Sequence, residues 1–334
     1  MKKRLYSLKD LKAALNESAL RDGLVLSDAG EHAKAVASFD MLKDFSTIDT
    51  ESRSRLKISY CTHGKHLQHE GKLEEALRCF SRAREAYPDD ILLLERTKLL
   101  VSRQEYRTLE NIGKFRRYFS FGLTSGEFEK YEYPFVEIAK QKGILQEPQI
   151  PAQSSLMDDA IKSVGVYRIQ AQGRHILSYK IREYKGGNPS LALPFSWLIA
   201  DFVRSLTEFV KFVDVIVPSP SNPNKYLARG FIPSLLIGKG LSKCLAIPYR
   251  ELFSITPMEC RFRDLPYAQA KELIKYREKR IDKIVFGHQV LLLDDVITTG
   301  RTLTLLADLL KSAGATAVYG LALAKTGAAK EGLD

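Results

Sequence analysis

The chain predicts an α/β fold, with a mostly parallel sheet in its C-terminal part preceded by an all-α region of helical repeats. Three observations predict it. After residue 160, apolar strand-like runs alternate with segments of helical periodicity. Before residue 120, a pattern of small and apolar residues suited to helical hairpins occurs twice. Residues 290 to 302, Val-Leu-Leu-Leu-Asp-Asp-Val-Ile-Thr-Thr-Gly-Arg-Thr, run from an apolar strand through two acids into a hydroxyl-rich turn.

The N-terminal elements come first in chain order. Tyr60, Gly64, Leu67, Gly71, Ala76, Phe80, Ala83 and Pro88 fall at spacings that resemble a tetratricopeptide repeat, a hairpin in which small residues let two helices pack closely. Ala19, Gly23, Leu26, Gly30, Ala35, Phe39 and Leu42 repeat the pattern. The offset is 41 residues where strict repetition gives about 34, so an insertion near Ser46 to Arg53 is expected. Ile91 to Tyr118 supplies further helices, since isolated hairpins of this kind leave their apolar faces uncovered. An ordinary helical domain is the alternative. A repeat array implies a concave face for a peptide or partner protein, or for self-association. Lys142 to Met157, with Gly143, Pro148 and Pro151 among polar residues, reads as a linker. The expected division is a repeat domain over 1–120, a helical connection and linker over 121–160, and a second domain over 161–328.

In the second domain Val164 to Ile169 predicts a strand, and Tyr179, Lys180, Arg182, Tyr184 and Lys185 precede Gly186-Gly187. Leu191 to Val210 predicts a helix. Val213 to Val217 predicts a strand ending in Pro218-Ser219-Pro220-Ser221, followed by Lys225, Arg229-Gly230-Phe231 and a helix from about Ser234 to Cys244. A basic, weakly patterned stretch from Phe253 to Phe286 leads to the strand that carries the acids, and Thr316 to Leu323 closes the series. Ligand sites in such folds lie at the C-terminal ends of the strands.

That is where Asp294 and Asp295 fall. Val290 to Leu293 is a continuous apolar run, as a strand buried on both faces requires. Thr298, Thr299, Gly300, Arg301 and Thr302 follow, and Leu305, Leu306, Leu309 and Leu310 then recur at helical spacing, so the turn sits at a helix N-terminus. Free N–H groups, the helix dipole and three hydroxyls there favour an anion, and Gly300 permits a backbone that a side chain resists. The carboxylates can accept hydrogen bonds from sugar hydroxyls or hold a magnesium-bound water. A strand end capped by acids for purely structural reasons is the alternative.

The segment closely resembles the phosphoribosyl-pyrophosphate (PRPP) motif of type I phosphoribosyltransferases. The resemblance implies that Asp294 and Asp295 bind the ribose hydroxyls and that Thr298 to Thr302 bind the 5′ phosphate. Over roughly residues 163 to 326 the ordered set is similar to the ComF family, through the segment around Tyr179 to Gly187, Val217-Pro218-Ser219-Pro220, Arg229-Gly230-Phe231 and the Arg261 to Lys279 stretch. Ile232-Pro233 stands where Asn-Gln is common in that family, and the family's cysteine-rich finger is replaced by the helical repeats. The likeness implies a pyrophosphate loop with Ser219 and Ser221 as hydroxyls and Lys225 and Arg229 as catalytic cations, and ordinary surface positions are the other reading of those two. Magnesium is the implied cofactor, held mostly by substrate and water. Arg261, Arg263 and Lys271 fall where related enzymes have a mobile cover, and a solvated basic loop is the other reading.

A formal net charge of +11 suits anionic partners without choosing among them. Cys61, Cys79, Cys244 and Cys260 form no Cys-x-x-Cys pair, and the basic start of the chain leads into charge-interrupted sequence, so a cytoplasmic protein with reduced thiols and no membrane span is expected. His63, His66 and His69 read as ordinary helix residues, and no metal ligand set is expected from the protein itself. The expected activity is transfer or recognition of a phosphoribosyl group. A non-catalytic PRPP or nucleotide sensor acting through the repeats, or a DNA-uptake accessory protein binding nucleic acid, are the competing readings.

Overall fold

The computed structural model describes residues 8–42, 44–102, 108–119, 133–141, 161–168, 175–206, 213–259, 265–277 and 281–326. Two compact units divide at Ser102 and Arg103.

The first unit holds α1 (Leu8–Asp28), α2 (His32–Phe39), α3 (Thr50–His69), α4 (Leu73–Ala86) and α5 (Ile91–Val101). Antiparallel neighbours α1 and α2 form one hairpin and α3 and α4 another. Each is tightened by a glycine against a phenylalanine. A Cβ on Gly23 would meet the Phe39 ring at 2.4 Å, and one on Gly64 would meet Phe80 and Cys79 at 3.1 Å. Both rings are fully buried, as is Tyr60, whose hydroxyl donates to Asp40 at 2.6 Å. The two glycine–phenylalanine contacts recur 41 residues apart, so the sequence offset is also a structural one. The expected insertion is accommodated before α3, where Asp49 caps the helix by accepting from the Ser52 N–H at 2.9 Å.

In the second unit α6 (Leu109–Phe119) and α7 (Pro134–Gln141) precede β1 (Lys162–Tyr167). The helix over Leu109–Phe119 was expected to close the N-terminal repeats, but it belongs here. Phe115 and Phe119 stack on one another with centroids 4.6 Å apart, and Phe115 lies 4.4 Å from Phe135. Phe135 in turn stacks on Trp197 at 6.1 Å. These aromatics belong to one buried cluster with the second unit's core. The linker expected over 142–157 lies outside the described residues.

Then come α8 (Ile176–Lys185), a short 3₁₀ turn at Pro189–Leu191, α9 (Ala192–Ser205), β2 (Val215–Pro218), α10 (Pro223–Arg229) and α11 (Pro233–Leu245). The weakly patterned stretch contains a two-stranded antiparallel ladder, β3 (Phe253–Ile255) with β4 (Ile274–Tyr276), and two short helices, α12 (Tyr267–Leu273) and α13 (Ile281–Val285). β5 (Gln289–Ile297), α14 (Arg301–Ser312) and β6 (Ala317–Thr326) complete the described unit. Among the described residues the main sheet has four strands in the order β1-β6-β5-β2, and every pair is parallel.

Val290 to Leu293 are fully buried, as a central parallel strand requires. Strand alternation divides them. Leu291 and Leu293 join the core formed with Trp197, Leu198, Ile237 and Tyr184, whereas Val290 and Leu292 are left for the opposite face. The leucines of α14, Leu303, Leu306 and Leu310, are fully buried and that helix packs on β5 and β6. Continuing the same alternation, Asp295 falls on the Leu293 side and Asp294 on the other.

The Gly23–Phe39 contact leaves no room for a methyl group, so Gly23→Ala is expected to destabilise the first hairpin by about 1–3 kcal/mol through overpacking. Gly64→Ala, with a looser approach, should cost less. Hydrogen exchange in the full chain measures this, on α1 and α2 amides for Gly23→Ala and on α3 and α4 amides for Gly64→Ala, and an equal loss of protection in the two hairpins would remove the packing argument.

Candidate functional site

The candidate site forms where β2 and β5 end side by side. Parallel pairing sets Pro218 opposite Leu293, so the next residue on each strand is Ser219 and Asp294. Ser219 extends the ladder by donating its N–H to the Leu293 carbonyl at 2.7 Å, and its hydroxyl donates to Asp294 Oδ1 at 2.7 Å. The N–H of Asp295 donates to the same Oδ1 at 2.8 Å. Asp295 Oδ1 accepts from the Val296 N–H at 2.7 Å, and its Oδ2 lies 2.9 Å from the Lys185 ammonium. Each carboxylate is therefore oriented by donors before any ligand arrives.

Close carboxylates repel. Two unit charges about 4 Å apart interact by roughly 4 kcal/mol at an effective dielectric of about 20, or about three pKa units. Burial, and then the charge of Asp295, push the Asp294 carboxyl up to about 7, against the opposing effects of Ser219 and Lys185. Burial also works to raise Asp295, but the Lys185 ammonium and its hydrogen bond overcome it and hold that carboxyl below the usual range. The pair thus carries a single negative charge below neutrality and gains the second near it.

Facing the acids is α10. Asn222 caps it by accepting from the Asn224 N–H at 3.1 Å, and its side-chain amide donates to the Met258 carbonyl at 2.6 Å. This ties the helix to the chain beyond β3. Lys225 and Arg229 project from α10, and among the described residues neither has an ion-pair partner. Burial, followed by repulsion from Arg229 and Lys185, lowers the Lys225 pKa. Ser234, at the start of α11, donates to the Ser219 carbonyl at 2.8 Å and so braces the turn after β2.

Together these residues line a cavity of about 460 Å³, bounded by Asp294, Asp295, Ser219, Ser221, Lys225, Arg229, Lys185 and Thr302. A smaller recess of about 60 Å³ adjoins it, lined by Val296 to Leu303 and sharing Asp294, Val296 and Thr302 with the larger space. Gly300 caps α14 with φ +79°, a left-handed conformation that favours glycine, and supplies no side-chain cap. The first-turn N–H groups of a helix have no intrahelical acceptor, which suits such a recess to an anion.

All the residues singled out for the acids, the hydroxyl turn and the pyrophosphate loop thus meet around these two joined spaces. Lys271 lies on α12 and does not line either, and Arg261 and Arg263 lie outside the described residues. Lys185, Asn222 and Ser234 are site residues that motif reading missed. The position of Lys185 before Gly186-Gly187 was the available signal. His63 and His66 line a separate hollow of the first unit with His32, and among the described residues no histidine, cysteine and acid group is arranged to hold a metal ion.

The comparisons bear on this region. Residues 264–332 match the family model described as phosphoribosyl transferase domain. The matched segment contains β5, the hydroxyl turn, α14 and β6, so the acid pair and the anion recess both fall within it. The C-terminal unit is an α/β parallel-sheet fold, and its last part, residues 264–332, is similar to the phosphoribosyl transferase domain family. No curated protein matches the chain. No helix among the described residues is long and apolar enough to cross a membrane.

The pair of acids is directly testable without ligand. In carboxyl-selective NMR, Asp294 is expected to titrate at about 7, and Asp295→Asn should move that titration toward the ordinary carboxylate range by removing the neighbouring charge. An Asp294 resonance that titrates near 4 in the unmodified protein would contradict the electrostatics described here.

Proposed function

We propose that the second unit binds PRPP with magnesium as a ComF-like phosphoribosyltransferase and that the first unit is a tetratricopeptide-like module for a peptide or protein partner. One observation carries the ligand assignment. Acids, a helix N-terminus capped by a glycine that offers no side chain, and two cations without an ion pair among the described residues open onto joined cavities whose chemical order matches ribose, 5′ phosphate and pyrophosphate. The acid pair would accept the ribose hydroxyls, the Thr298 to Thr302 turn would take the 5′ phosphate, and Ser221, Lys225 and Arg229 would take the pyrophosphate.

The donors present fit magnesium as a companion of the substrate. Asp294 Oδ1 is occupied by Ser219 and the Asp295 N–H, and both oxygens of Asp295 are engaged. Asp294 shares a side-chain hydrogen bond with Asp295; once ionised it would accept a metal-bound water or a hydroxyl, which is less than a protein cage but enough for an ion coordinated mainly by pyrophosphate, ribose and water. Bound there, magnesium would neutralise charge on the pyrophosphate.

In the reaction, the bond between the anomeric carbon and pyrophosphate breaks with its electron pair leaving on the pyrophosphate, and the lone pair of the acceptor forms the new bond. This chain's residues supply position and charge rather than a covalent nucleophile. Ser219 and the backbone N–H groups hold the carboxylates in place, while Lys225 and Arg229 face the departing negative charge.

A second reading has one observation in its favour. Ile232 and Pro233 begin α11 beside the cavity without a side-chain cap, so no side-chain amide projects there where the related family commonly has Asn-Gln. This suits a PRPP or nucleotide sensor whose occupancy is reported through the first unit.

Isothermal titration with PRPP and magnesium is expected to show binding that Asp294→Asn with Asp295→Asn weakens by about 10- to 100-fold, the value of one charged hydrogen bond. Undiminished binding by the double variant would reject the assignment. Pyrophosphate release with ammonia or a panel of bases then separates the transferase from the sensor.

A further inference from the structure

Lys185 is held in the cleft more firmly than a surface lysine would be. Its neighbour Tyr184 is fully buried, donates its hydroxyl to the Pro233 carbonyl at 2.9 Å, and packs on Phe195 and Phe231 with centroids 5.4 and 5.1 Å away. On its other side the chain leaves α8 through Gly186 and Gly187, the latter at φ +116°, a conformation that favours glycine. The ammonium is thereby delivered to Asp295 at 2.9 Å, with the lysine side chain 25% and the aspartate side chain 14% exposed.

This pairing has a cost for ligand binding. An acid that is to accept a ribose hydroxyl already has a cation on Oδ2, whereas the nearby Lys225 and Arg229 form no ion pair among the described residues and repel one another. Lys185 lines the same cavity as those two cations. A polyanion entering beside the acids would therefore offer the Lys185 ammonium a second partner of higher charge within the space it already borders. A charge-assisted bond exchanged for another of the same kind costs little, and it frees Asp295 Oδ2 as the sugar arrives.

Resting on the PRPP reading of this cleft, we propose that Lys185 is a transferable counter-ion: it guards Asp295 when the cleft is open and moves to the pyrophosphate when the ligand binds. In the open protein the lysine compensates a buried carboxylate that would otherwise oppose folding. In the bound protein it becomes a third cation on the leaving group, alongside Lys225 and Arg229. The lysine thus belongs to the leaving-group side of the site, although its ion pair among the described residues is on the sugar side.

The test compares two ligands that differ at the anomeric carbon. PRPP with magnesium and ribose 5-phosphate are titrated by calorimetry into the full-length protein, Lys185→Gln and Lys185→Arg. Lys185→Gln is expected to weaken PRPP by about 10-fold or more, the loss of a charged hydrogen bond, while ribose 5-phosphate binds as well as before or better because Asp295 is released. Lys185→Arg should recover part of the PRPP affinity and serves as the control for folding, together with its thermal unfolding midpoint. If both ligands weaken alike, or neither does, Lys185 is a static partner of Asp295 and the proposal fails while the PRPP reading stands. If the unaltered protein binds no PRPP, the reading of the cleft fails first and the counter-ion role goes with it.

Discussion

The second unit is organised around the need to place two carboxylates at the end of a strand that is buried on both faces. Ionised acids lose much of their hydration there, and each must recover it from the protein. Asp294 does so from the Ser219 hydroxyl and a backbone N–H, and Asp295 from the Val296 N–H and the Lys185 ammonium. Those four donors come from three different parts of the chain. The parallel register of β2 with β5 and the position of α8 are what bring these donors to the pair.

The same constraint explains the uneven electrostatics of the site. A lysine compensates only one member of the pair, so the acids separate into a firmly ionised Asp295 and an Asp294 that holds its proton to about 7. Across the cavity the cations of α10 form no ion pair among the described residues. The result is a cleft with acids on one wall and excess positive charge on the other, a division that suits a ligand presenting hydroxyls at one end and phosphates at the other. The net positive balance of the whole chain would reinforce this by raising the local concentration of anions.

How much of this was legible in the sequence depends on the range of each interaction. β5 and its turn were legible because Val290 to Leu293, the two acids and Thr298 to Thr302 are contiguous, and strand, turn and helix start each leave a local signature. The glycine–phenylalanine contacts were legible for a similar reason, since Gly23 with Phe39 and Gly64 with Phe80 lie within single hairpins. Lys185 was not, because its partner Asp295 is brought to it only by the assembled sheet. The helix at Leu109–Phe119 was misplaced because its apolar pattern shows that it must be buried but not against what. Its partners Phe135 and Trp197 lie far along the chain. The β3–β4 ladder escaped notice because three-residue strands are too short to show alternation.

The last turn of α8 has a further consequence for anyone altering this protein. Tyr184 faces the core and Lys185 faces the cleft because successive helical residues are rotated by about 100°. Their roles are therefore set by angular phase as much as by residue type. Deleting one residue between Ile181 and Tyr184 would turn an ammonium into the aromatic core, and inserting one there would turn a phenol toward the carboxylates, so this short stretch tolerates changes of side chain better than changes of length.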